Sequence, residues 1–222
     1  YEHLIFDGRE RLPLMRLPGM AERTVRVGSA GKMFSLTGWK IGWVTGDAKL
    51  VDVVAKSHQF ITFTTSPALQ LGVAHALEHE MGFTLNLTKT LQANRDILAE
   101  GLRRIGFKTL PCEGSYFLTA DISGLTNEPD VAFCERLVKE AGVALIPLSV
   151  FFTGGKPDTL VRFAFCKKRE VIEGRLRSSK PISNRADQSV DHAQLVMRQP
   201  FGVFAVEKVK EPFSLSALPV IL

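Results

Sequence analysis

The sequence predicts a mixed α/β fold, and three observations point to it. Short apolar runs bounded by turn residues recur early: Leu4-Ile5-Phe6 ahead of Asp7-Gly8, then 25–27 and 41–44, of which the last two read as brief buried strands. Longer segments carry apolar residues at helical spacing. The clearest is 82–105, where Leu85, Leu91, Ile97, Leu98, Leu102 and Ile105 form one stripe. The composition, 45% hydrophobic and 23% charged over 222 residues, is that of an ordinary globular chain able to bury a core in one or two domains.

The remaining elements follow in order. Asp47 is placed to cap a helix over 48–58 with Leu50, Val51 and Val54 on one face. Ser66-Pro67 starts a helix running to about 80, because proline suits the first helical position. Gly106 stops the long helix. Strands are expected at 107–110, 115–121, 143–147 and 160–165, with helices at 129–141 and 168–177. Residues 178–222 differ in character: Pro181, Pro200, Pro212 and Pro219 interrupt them, and they stand as an unassigned tail.

Several functions are disfavoured by composition. The formal charge of +5 is spread along the chain without a basic block, so nucleic acid is not an expected partner. No apolar run approaches the ~20 residues of a membrane helix, and no signal peptide is visible. The three cysteines (Cys112, Cys134, Cys166) lack metal-ligand spacing, which suits a reduced, cytoplasmic setting. His75, Glu78 and His79 formally match H-x-x-E-H, but no third ligand is apparent and no metal is expected.

The chemistry concentrates in 25–43. Lys32 follows Gly28, Ser29, Ala30 and Gly31, and Lys40 lies eight residues on, behind Gly38-Trp39. Small residues let the backbone approach a ligand closely, and hydroxyls with backbone N–H groups suit a phosphate. A lysine over such a cradle can form a Schiff base with a carbonyl cofactor once deprotonated. A nucleotide P-loop is excluded, because the required glycine and Ser/Thr positions hold Arg26 and Met33. Arg162 stands mid-strand between Val161 and Phe163, where a charge is costly unless paired. A substrate carboxylate and a structural Asp or Glu are both possible partners.

Ser29 through Trp43, written Ser-x-Gly-Lys-x-Phe-Ser-x-x-Gly-Trp-Lys-x-Gly-Trp, resembles the cofactor-lysine motif of class I/II, fold-type I, pyridoxal-phosphate (PLP) aminotransferases. The kynurenine/glutamine/methionine branch is the nearest in pattern. His58–Pro67, Gly114–Phe117 and Val161–Phe165 resemble later family segments in the right order, and the likeness runs from Tyr1 to about Arg177. It implies a partial large α/β domain at 1–95, a small α+β domain at 96–177, and a linking helix at about 82–105. It implies that Lys32 is the catalytic, cofactor-bound lysine and that Ser29 and Lys40 hold the phosphate. It also implies that Tyr1 hydrogen-bonds the cofactor's phenolic oxygen and that Arg162 binds the substrate carboxylate. Phe63 and Thr64 would project into a partner subunit's pocket in a homodimer, and Trp39 with Phe151-Phe152 would shape an apolar rim.

The implied reaction moves the amino group of an L-amino acid (methionine, glutamine, aromatic or kynurenine-like) to a 2-oxo acid. Cysteine-S-conjugate β-elimination is an alternative on the same cofactor. The opening Tyr1-Glu2-His3 leads to the expectation of an N-terminally truncated enzyme that lacks the aspartate pairing the pyridine nitrogen. Residues 1–222 alone are then expected to transaminate little or not at all, as an inactive fragment would.

Overall fold

The computed structural model describes residues 1–178; the tail beyond lies outside the described residues. Two antiparallel sheets carry the architecture. β1 (Val25–Ser29) pairs with β2 (Gly42–Gly46) as a two-stranded ribbon, with Ser29 opposite Gly42 and Gly28 opposite Trp43. Gly28 is required there, because a Cβ would lie 2.2 Å from the Trp43 indole. A four-stranded sheet has the order β3 (Lys108–Thr109), β4 (Phe117–Asp121), β6 (Leu160–Ala164), β5 (Ile146–Pro147). The strands expected at 107–110, 115–121 and 143–147 are thus shorter than their apolar patterns suggested. The run 4–6 forms only a bridge, Ile5 to Gly114, with Leu4 and Phe6 buried.

Helices connect and cover these sheets. The chain between the ribbon strands holds α1 (Ala30–Met33) and a 3-10 turn, Thr37–Trp39. Then come α2 (Ala48–Ile61), α3 (Pro67–His79), α4 (Met81–Arg104), α5 (Asp130–Ala141) and α6 (Arg169–Ser178). Asp47 caps α2 by accepting from Lys49 N–H at 2.9 Å. α4 ends as its sequence predicts. Gly106 takes φ +100°, its N–H reaches the Arg103 carbonyl, and Phe107 N–H reaches that of Leu102.

The larger core packs Leu118, Ala120, Val161 and Phe163 from one sheet face against Leu91, Leu98 and Leu102 of α4 and Phe133 and Leu137 of α5. Burying each of the Val, Leu and Phe side chains stabilises by roughly 1.5–3 kcal/mol. The smaller core gathers Ala30, Met33, Phe34, Ile41 and Val73. α4 contacts both, and its buried stripe departs from expectation. Leu85 is 62% exposed, while Thr84 and Asn94 are buried. Each buried polar residue is an anchor: Thr84 donates to the Met33 carbonyl, and Asn94 donates to the carbonyls of Phe165 and Lys167.

Candidate active site

Lys32 sits in the single helical turn α1, on the connection between β1 and β2. Ser29 starts the turn. It ends β1 in extended conformation, and its hydroxyl oxygen accepts from Gly31 N–H at 3.2 Å, capping the turn. The hydroxyl proton remains available to a ligand. Ala30, Gly31 and Met33 turn into the smaller core, which leaves Lys32 half-buried on the other side. A Cβ on Gly31 would stand 3.1 Å from the Thr37 backbone, a tight contact that glycine avoids. Thr37 and Thr84 donate to the Gly31 and Met33 carbonyls and fix the turn from two sides.

Lys40 is exposed and follows the 3-10 turn in a left-handed conformation, φ +57°. A non-glycine residue there costs about 1–3 kcal/mol, a strain that concentrates at functional sites. Ala30 N–H bonds the Ile41 carbonyl, so the ribbon register brings Ser29 and Lys40 to the same end.

The Lys32 amine lies 5.8 Å from the Tyr1 ring centroid and 5.5 Å from that of Tyr116. The Tyr1 hydroxyl donates to the Tyr116 hydroxyl at 2.9 Å. Burial first, and then this hydrogen bond, push the Tyr1 phenol up to about 12, against the opposing fields of Lys32 and Arg162.

Arg162 occupies the centre of β6, opposite Thr119 and Ile146. Strand alternation turns Val161 and Phe163 into the core and Arg162 to the opposite face, half-buried. Its guanidinium carbon lies 4.1 Å from the Phe117 ring and 5.5 Å from the Phe151 ring. Its Nε is buried without a hydrogen-bond partner among the described residues. A buried donor left unpaired is expensive, and a ligand carboxylate would satisfy it.

Lys32, Tyr1 and Arg162 are therefore brought together. Phe63 and Thr64 are both exposed, Phe63 at φ +68°, and no described contact ties either to that group. Trp39 is partly buried and packs against the smaller core and beside Gly72. The His75 and His79 rings lie 4.6 Å apart, with Glu78 at 3.5 Å from His79; no cluster of three metal-ligating residues occurs among the described residues. Sequence reasoning missed Tyr116, although it lies inside the quoted Gly114–Phe117 segment.

A family model described as Aminotransferase class I and II matches residues 1–175. The chain belongs to that family. Its members depend on pyridoxal phosphate. The probable N-succinyldiaminopimelate aminotransferase DapC of Mycobacterium tuberculosis is 40% identical over 194 residues, 83% of this chain and 49% of the relative. Kynurenine–oxoglutarate transaminase 1 of Mus musculus is 35% identical, over 78% of this chain and 46% of the relative. The crystal structure of YbdL from Escherichia coli, identified with a methionine aminotransferase function, matches with TM-score 0.75 and 38% identity, covering 80% or more of this chain (81%) and 48% of YbdL. The fold is that of the fold-type I aminotransferases. The chain spans about half the length of the curated relatives it matches. No described helix is long and apolar enough to cross a membrane.

Proposed function

We propose that this chain supplies the lysine, phosphate and carboxylate-binding side of a PLP-dependent aminotransferase site. The reaction would move the amino group of an L-amino acid (methionine, glutamine, aromatic or kynurenine-like) to a 2-oxo acid. One observation carries the reading: a capped turn presents the Lys32 amine to Tyr1 and Tyr116, while Arg162 keeps an unpaired buried donor nearby. Residues 1–95 form the cofactor-holding part in this reading and 96–177 the smaller domain.

The donor set fits the cofactor. Ser29 offers a hydroxyl proton and Lys40 a compact positive charge to the phosphate. When bound, pyridoxal phosphate supplies the electron sink for the electrons released at the substrate Cα. Lys32 would anchor the cofactor and, once released by substrate, carry the proton to and from Cα. Tyr1 keeps its phenol protonated and, on turning its one O–H from the Tyr116 hydroxyl, would donate to the ring oxygen. Arg162 would orient the substrate by its carboxylate, with Phe117 and Phe151 excluding water from that pair. The exposed Phe63 and Thr64 suit contact with a second copy in a homodimer, and the cysteine usage suits the cytoplasm.

The test is deuterium exchange at Cα of L-methionine in D2O with PLP, followed by NMR. Lys32-dependent exchange supports the reading, and exchange equal in Lys32→Ala contradicts it. Product analysis with a 2-oxo acid then separates transfer from elimination, which would release pyruvate or its analogue and ammonia without an acceptor.

A further inference from the structure

Asp130 is fully buried in the first turn of α5, and one residue takes both its oxygens. Oδ2 accepts from Ser149 N–H at 2.8 Å and Oδ1 from the Ser149 hydroxyl at 2.7 Å. Such a group is tolerated inside a protein only when its oxygens are hydrogen-bonded, so this pair holds Ser149 in one orientation. Ser149 opens the 3-10 turn Ser149–Phe151. The same segment is tied to β6 by Leu148 N–H to the Leu160 carbonyl at 3.0 Å and by the pairing of Ile146 with Arg162. Phe151, at the end of the turn, reaches the Arg162 guanidinium although it is 63% exposed. Hydrophobic burial does little to keep so exposed a ring in place; the anchored turn does.

We propose that the Asp130–Ser149 pair is a positioning lock that holds Phe151 against Arg162 and thereby sets the affinity of that arginine for substrate carboxylates. The inference rests on the reading of Arg162 as the carboxylate site. A ring beside the guanidinium excludes water and lowers the local dielectric, which strengthens a bidentate ion pair. The ligand class is a monocarboxylate with an apolar side chain, which the exposed ring could also contact.

The experiment measures protection of Arg162 from phenylglyoxal, mapped by mass spectrometry on the full chain, as 3-phenylpropanoate is titrated. Half-protection in Asp130→Ala and in Phe151→Ala is expected at about tenfold higher concentration than in the unsubstituted chain. Asp130→Asn should recover most of the affinity, since an amide can accept from Ser149 N–H and donate to its hydroxyl. Asp130→Ala should add nothing further in the Phe151→Ala background, because the lock then has no ring to hold. A merely structural role would give additive losses, and additivity overturns the proposal. Should Asp130→Ala not fold, Ser149→Ala takes its place in the same cycle. Protection unchanged in the single variants overturns the lock alone. No protection in the unsubstituted chain overturns the carboxylate reading and the lock with it.

Discussion

Tyr1 and Tyr116, far apart in sequence, share one hydrogen bond beneath the Lys32 amine, hydroxyl to hydroxyl at 2.9 Å. They are the only tyrosines in the chain. Tyrosinate absorbance therefore reports this pair directly. One phenol should titrate near the value of about 12 to which Tyr1 is pushed. In Tyr116→Phe that midpoint should fall but stay above the ordinary value, because burial, the larger cause, persists. The linkage has a definite sign. The Tyr1 proton's contribution to stability is complete below pH 10 and is lost as pH rises through about 12.

Arg162 should bind ligand at a cost to the folded chain. Arg162→Met should weaken apolar carboxylate binding by about 1.5–3 kcal/mol, the worth of a charge-assisted hydrogen bond. Arg162→Lys should recover only part of it, since an ammonium lacks the planar fork and stacks poorly on Phe117. Thermal unfolding should show the methionine variant no less stable, because the unpaired Nε disappears with the substitution. A clear loss of melting temperature would favour a structural ion pair instead.

Arg95 clamps the chain start to the sheet. Its side chain, 12% exposed, donates to both Asp7 oxygens at 2.6 and 2.7 Å and to the Cys112 carbonyl at 2.7 Å, over the Phe6 ring. Arg95→Met should lower the urea-unfolding midpoint, as hydrogen bonds to a charged donor are lost. The Arg95 hydrogen bond holds the Asp7 carboxyl below its usual range. The pair's contribution is thus present above the ordinary carboxylate pKa and lost as pH falls through the depressed one. That part of the acid slope should vanish in Arg95→Met.

Phe60, Ile61 and Phe63 are 88%, 83% and 78% exposed at the end of α2 and just beyond it. Exposed apolar clusters favour association, and the homodimer reading would use this one. Phe60→Asp with Ile61→Asp should shift sedimentation toward the monomer while leaving the melting temperature of the protomer nearly unchanged. Identical sedimentation before and after substitution would remove this face from the homodimer reading.

Much of the site was legible because its residues are contiguous. The small-residue run before Lys32, the Lys40 that follows, and the Arg162 flanked by core residues all carry their chemistry in local pattern. Helix ends were equally readable at Asp47, Pro67 and Gly106, where capping is local. What escaped depends on distant partners. The turn at Lys32 is helical because Ser29 caps it and Thr84, from another helix, holds its last carbonyl. Leu85 fits the apolar stripe of α4 by spacing, yet Thr84 and Asn94 are buried because backbone carbonyls elsewhere need donors. The sequence puts Arg162 on a strand, but only pairing with β4 and β5 turns it away from the core. Asp130 is an ordinary acid in a first helical turn by sequence; its burial depends on Ser149, which donates to both its oxygens.

The most direct measurement is borohydride reduction of the chain incubated with PLP, followed by peptide mass mapping. A single pyridoxyl adduct at Lys32, lost in Lys32→Ala and weakened in Lys40→Ala, is the expected result. Adducts scattered over surface lysines, or none, would contradict the assignment of Lys32 as the cofactor lysine.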